Sequence, residues 1–144
     1  MNLGAARPWA ALGGMAALAL PGAWLAHAAL GLALRPEGGW AWAWALAVAP
    51  LIEEAVLRPL LQQGLWDRMQ ALTRPAAAWP GHAANLFSAL AFVALHVPGR
   101  GWDALWWLAP AVLLGEAWRR HRSLAACAGL HAWFNLCLAG VSRA

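Results

Sequence analysis

The chain has 144 residues, of which 62% are hydrophobic and 11% charged, against about 25% charged in an ordinary soluble domain. So few charges cannot cover a soluble surface of this size, and twelve Trp, a residue that gathers at membrane interfaces, point to a chain embedded in the lipid bilayer. Its positive charge is supplied entirely by Arg scattered between apolar runs, which excludes the continuous basic surface that nucleic acid requires.

The first apolar run covers residues 9–34, enough for a spanning helix of around twenty residues. Arg7 before it and Ala26-His27-Ala28 within it resemble a signal peptide with its small-residue cleavage site. Cleavage would leave four spans, and a retained anchor is the preferred reading. His27 is expected to pack or to hydrogen-bond to backbone.

The second run, 40–66, carries Glu53, Glu54 and Arg58. Each charge at that depth costs about 2.5–3.5 kcal/mol on insertion scales, so such residues face the bundle interior and find partners. Glu54 and Arg58 are one helical turn apart on the same face, which predicts an ion pair. Glu53 lies about 100° around the helix from Glu54 and is the less satisfied carboxylate, free to act as a general base. Asp67 and Arg68 mark a loop. On these residues alone, an ion pair that only fixes packing explains the segment equally well.

The third run, 83–97, falls short of the lower limit of about seventeen residues for a span. It is expected to start earlier, tilt less or be partly re-entrant. It closes on Phe92-Val93-Ala94-Leu95-His96. His82 and Asn85 are placed as caps of this helix, Asn85 alternatively in a cavity. The fourth run, 102–118, has Asp103 as a candidate cap, and Glu116 faces Arg119 and Arg120 across an interfacial turn. The fifth, 124–141, holds His131 and Asn135 one turn apart on one face. Cys127 and Cys137 would lie about 15 Å apart on that helix, whereas a disulfide needs Cα atoms within about 7 Å. The expected fold is all-α, a polytopic transmembrane helix bundle of about five spans forming a single domain over residues 1–144.

With five spans, Arg7, Arg68, Arg74, Arg119, Arg120 and Arg122 fall on one side and Arg35, Arg100 and Arg143 on the other. The positive-inside rule then favours a cytoplasmic N-terminus. Trp9, Trp66, Trp79 and Trp118 would sit at the inner interface, and Trp40, Trp42 and Trp102 at the outer one.

A lone His on an apolar helix is most often a packing residue. Three apolar helices that each carry polar groups able to meet are harder to explain that way. A carboxylate and two imidazoles can activate water, and an imidazole with an amide can hold an oxyanion in a dry site.

Glu53-Glu54-x-x-x-Arg58, Phe92-x-x-x-His96 and His131-x-x-x-Asn135 together resemble the three ordered motifs of the CPBP family, which includes the CAAX prenyl endoproteases and bacterial "abortive infection" proteins. The likeness spans a motif core of residues 53–135. The resemblance implies glutamate-dependent peptide hydrolysis inside the membrane. Glu53 with His96 would activate the attacking water, Glu54 and Arg58 would support that pair, and His131 and Asn135 would stabilise the oxyanion. Phe92 would pack behind His96. Members of the family commonly carry more helices, so this chain is close to a minimal core.

Glu53, His96 and His131 also make a possible zinc set with an open position. No His-Glu-x-x-His pair is present, and a reaction without cofactor is the preferred reading. Short bacterial members suggest a membrane-associated substrate with a hydrophobic C-terminal sorting tail, cleaved at the inner (cytoplasmic) membrane by a site that opens outward. The rival class is a non-enzymatic membrane protein, an immunity factor or scaffold, whose polar residues are packing alone.

Overall fold

The computed structural model describes residues 6–74 and 77–142, with the side chains of residues 6–8 left aside. The Arg7 side chain and Arg143, on which part of the orientation count rests, lie outside the described residues. Helices α1 (Ala6–Ala17) and α2 (Ala19–Leu30) form the first span. They are separated by one turn at Leu18, where Pro21 has no N–H to offer the Ala17 carbonyl. Gly31, at φ 65°, ends α2 in the left-handed conformation that glycine adopts at helix ends. His27 Nδ1 donates to the Leu32 carbonyl at 2.9 Å, the backbone contact expected of it.

The second span is helical from Gly38 to Ala71, 34 residues in all. At 1.5 Å per residue this is about 50 Å, well beyond the hydrocarbon core of about 30 Å, so it tilts or projects past the apolar layer. It consists of α3 (Gly38–Ala43), a π-helical stretch Trp44–Val48, α4 (Ala49–Ala55), a second π-helical stretch Val56–Gln62, and α5 (Gln63–Ala71). Pro50 opens α4 and Pro59 lies inside the second π stretch. A proline ring collides with the carbonyl four residues back, and a widened turn relieves that collision. Both glutamates sit on the short α4 between two such turns, which often mark functional sites. The inward stripe of this span is Glu54, Leu57, Arg58 and Gln62, while Leu51, Ile52, Val56 and Leu60 face out.

Helix α6 spans Trp79–Arg100, 22 residues, which resolves the short third run: it starts earlier than its apolar residues suggest. Pro80 near its start is tolerated because the first-turn N–H groups have no partner in any case. His82 and Asn85 therefore lie inside the helix and do not cap it; Ala78 occupies that position without a side-chain cap. Gly101, at φ 60°, reverses the chain. A 3₁₀ stretch, Gly101–Trp107, leads into α7 (Leu108–His121). Together these rise about 35 Å, enough to cross where the 14 residues of α7 alone would not. Asp103 sits in the first turn of the 3₁₀ stretch and does not cap α7, whose preceding residue is Trp107. The antiparallel pairing of α6 and α7 is fixed by Asn85 Nδ2, which donates to the Val112 carbonyl at 3.1 Å. Arg122, at φ 49°, makes the tight turn to α8 (Leu124–Val141), where Ser123 Oγ caps the Ala126 N–H at 3.2 Å.

Four helical stretches are long and apolar enough to cross a membrane. The third of them is the α6–α7 hairpin, so the chain is an all-α bundle of four to five helices able to span a membrane. One end of the bundle gathers Trp9 against His121, and Arg119 and Arg122 over the Trp66 ring. Glu116 binds Arg119 and Arg120 there, each at 2.7 Å. The other end brings Leu34 to Ser142 and Arg35 to Arg100.

Apolar burial is spread over small clusters, the largest being Met15, Leu114, Ala117, Trp118, Cys127 and Leu130. Large apolar side chains such as Trp24, Leu60, Phe87 and Leu95 are exposed, an arrangement suited to lipid rather than to water. Trp118, near the end of α7, does not face out of the bundle. It is buried in this cluster and donates to Gln63 Oε1 at 3.2 Å, because its face of α7 packs against other helices. Both cysteines are buried and free.

Candidate active site

Polar groups are costly in the interior unless paired, and most of the buried ones here belong to one connected set. Arg58 and Glu54 are fully buried, with Arg58 Nε 2.6 Å from Glu54 Oε2. This is the ion pair that the one-turn spacing predicts. Three more of its N–H groups find partners: Nη1 donates to Gln62 Oε1 at 3.0 Å and Ser88 Oγ at 3.2 Å, and Nη2 to the Ala111 carbonyl at 3.3 Å. Gln62 Nε2 donates to the Gly115 carbonyl at 2.9 Å, and Ser88 Oγ to the Leu57 carbonyl at 3.0 Å. Arg58 thereby ties the second span to both arms of the hairpin.

Glu54 uses its other oxygen on α8. His131 Nδ1 lies 2.9 Å from Glu54 Oε1, and the same ring turns Nε2 toward Glu53 Oε2 at 3.7 Å. His96 approaches Glu53 from α6, with Nε2 3.9 Å from Oε1. Its Nδ1 donates to the Phe92 carbonyl at 2.8 Å, one turn back on the same helix. A carbonyl only accepts, so Nδ1 carries the proton and Nε2 of the neutral ring is an acceptor. Burial follows function-like lines: Glu54 is sealed, His131 is 8% exposed, and Glu53 and His96 are 30% and 27% exposed. Glu53 therefore sits at an accessible face of an otherwise closed network.

Phe92 packs on His96 with ring centroids 4.4 Å apart and stands edge-on to His131 at 5.8 Å. Trp107 closes the other side of His96 at 4.8 Å. Asn135 is on the same α8 face as His131 but spends one N–H on the Ala45 carbonyl at 2.8 Å, in the first π stretch. The structure thus gathers Glu53, Glu54, Arg58, His96 and His131 into one cluster, and sets Asn135 at its edge as a tie between α8 and the second span.

Gln62, Ser88 and Trp107 were not among the residues singled out from the sequence. The signal for Gln62 was present: Glu54, Arg58 and Gln62 recur every fourth residue along one helical face. Asn85, Ser88, Phe92 and His96 likewise form one stripe on α6. Trp107 gives no such signal, since its role depends on the reversal at Gly101. That hairpin is also close-packed: a Cβ on Gly115 would stand 1.8 Å from Asn85 Oδ1 and 2.9 Å from Arg58 Nη1.

Anchored Nδ1 atoms of the kind seen on His96 and His131 suit metal-ligating imidazoles. The spacing does not: among the described residues no group of three His, Cys, Asp or Glu side chains is arranged to hold an ion.

Comparison with known proteins places these residues in a family. The family model described as type II CAAX prenyl endopeptidase Rce1-like matches residues 35–137, a stretch that holds every residue of the cluster. Searches of curated proteins and of solved structures found no match. The match covers well over half of the 144 residues, and its span includes all of the polar network inside an integral membrane bundle. The chain belongs to the type II CAAX prenyl endopeptidase Rce1-like family of intramembrane proteases.

Proposed function

We propose that the protein hydrolyses a peptide bond by a glutamate-dependent route, with water activated between Glu53 and His96. The observation that carries this reading is the setting of Glu53. Two imidazole Nε2 atoms face its carboxylate at 3.7 and 3.9 Å, while each ring is held in place through Nδ1. These separations exceed a direct hydrogen bond and suit contact through one water. Glu53 or His96 Nε2 takes the water proton as oxygen attacks the peptide carbonyl carbon. The same proton then goes to the leaving nitrogen as the C–N bond breaks.

Glu54 and Arg58 position His131. A ring whose Nδ1 faces Glu54 can donate from Nε2 only when it carries both protons. In that state His131 offers an N–H to the developing oxyanion, and Glu54 and Glu53 together face the charges of the ring and of Arg58. Asn135 has a second amide N–H beyond the one given to Ala45 and supplies the other donor. Losing one such donor costs about 100–1,000-fold in kcat. His131→Ala and Asn135→Ala are expected to show that loss with KM little changed, in variants whose folding is checked by thermal melting. Wild-type turnover in both would defeat the oxyanion assignment.

His96 lies toward the Arg35 and Arg100 end of the bundle. We place that end on the outer side of a bacterial inner membrane, with a cytoplasmic N-terminus. The substrate is then a membrane-associated protein cleaved at a hydrophobic C-terminal tail of the sorting type.

A further inference from the structure

The loop between the first two spans and the Arg35 and Arg100 end of the bundle line an open groove of about 430 Å³. Its walls include Trp40, Trp44 and Ala45, and both Arg35 and Arg100 line it. The groove joins the catalytic cluster on two sides. The Ala45 carbonyl that lines it is the acceptor of Asn135 Nδ2. The Arg100 guanidinium lies 5.5 Å over the Trp107 ring, and that ring packs on His96.

The two guanidiniums differ from Arg58, Arg119 and Arg120 in lacking a carboxylate partner among the described residues. Arg58 is neutralised by Glu54, and Arg119 and Arg120 share Glu116. Among the described residues neither Arg35 nor Arg100 has a carboxylate partner, and Arg35 has no hydrogen bond or ring contact either. Two cations with no carboxylate partner among the described residues line an apolar, Trp-walled groove beside the reacting groups. Guanidinium forks match carboxylates in both charge and shape. Apolar walls suit the hydrophobic flank of a membrane-borne peptide.

We propose that this groove is a specificity subsite in which Arg35 and Arg100 bind a carboxylate of the substrate polypeptide, a side-chain acid or a free C-terminus close to the cleaved bond. The subsite rests on the protease reading. It supplies the end-on anchor that fixes which bond reaches Glu53, since an apolar peptide lying in lipid has little else to define its register.

The test uses the full chain carrying Glu53→Gln in phosphatidylcholine vesicles, with a fluorescent Leu/Ala peptide as probe. The peptide is made as a C-terminal acid or amide, and with an Asp or an Asn near its end. One acidic form is expected to bind about tenfold more tightly than its neutral mate, the scale of a hydrogen-bonded charge pair. Which pair responds tells a terminus from a side chain. Arg35→Gln and Arg100→Gln should each remove the preference and leave the neutral peptide's affinity unchanged. Arg35→Gln carries the test if Arg100→Gln disturbs Trp107, because Arg35 has no hydrogen bond, ion pair or ring contact among the described residues. Equal binding of acid and neutral forms, or a preference that survives both substitutions, overturns the subsite. Arginine-dependent retention of phosphatidylglycerol with no peptide preference overturns it in favour of a lipid headgroup site. Cleavage of the same peptides by the unsubstituted chain is read separately. An intact acid preference without cleavage supports the subsite and counts against the protease reading, whereas cleavage without preference counts against the subsite alone.

Discussion

His131 Nδ1 lies 2.9 Å from Glu54 Oε1, so the second glutamate of the pair serves the histidine, not the water. Through the ring, the fully buried Glu54–Arg58 pair is connected to the half-exposed Glu53. The adjacent glutamates are thus not interchangeable. One is fully buried in an ion pair with Arg58, and the other is 30% exposed between two imidazoles.

That division predicts unequal stability costs. Arg58→Leu leaves Glu54 buried with one partner gone and is expected to destabilise by about 3–5 kcal/mol, as for one broken half of a buried pair. Removing both charges in Glu54→Leu/Arg58→Leu should cost less than Arg58→Leu alone, since no orphaned charge remains. Thermal unfolding in detergent compares them. A double variant less stable than the single would contradict the pairing argument.

The hairpin of α6 and α7 depends on Gly115. Gly115→Ala puts a methyl against Asn85 Oδ1 and Arg58 Nη1 and is expected to cost about 1–3 kcal/mol through overpacking. Asn85→Ala in the same chain should recover part of that loss, giving a non-additive double-mutant cycle. Additive melting shifts would mean that the two positions do not touch.

The motif residues were legible in the sequence because membrane burial makes polar groups conspicuous. Glu53, Glu54, Arg58, His96 and His131 stand out in apolar runs, and helical spacing foretells the Glu54–Arg58 contact. The extent of α6 was less legible. Trp79 to His82 fall outside the apolar run because Pro80, Gly81 and His82 lower the local hydropathy, yet the first helical turn accepts them. The partner of His131 was not legible at all. Spacing along α8 pairs it with Asn135, whereas packing across helices pairs it with Glu54. The π-helical stretches around α4 also escape a periodicity of 3.6, though Pro50 and Pro59 are their visible cause.

Sidedness can be checked by cysteine labelling, since the native Cys127 and Cys137 are buried. Gly64 and Gly99 have open space where a side chain would start. With the N-terminus cytoplasmic, Gly99→Cys should react with an impermeant maleimide on intact cells, and Gly64→Cys only after lysis. External labelling at position 64 would reverse the orientation.

Glutamate chemistry without a metal predicts that exhaustive chelation leaves cleavage unchanged and that elemental analysis of active protein finds no stoichiometric zinc. Loss of activity restored by added zinc would transfer the central role from water held by Glu53 to a bound ion.

The most direct measurement is single-turnover cleavage of a candidate tail by Glu53→Gln beside the unsubstituted chain, with thermal melting as the control for folding. The variant keeps size and hydrogen bonding but cannot accept the water proton. The expected result is cleavage lost with an unchanged melting point. A folded Glu53→Gln protein that cleaves at the normal rate would contradict the assignment of Glu53 as the base.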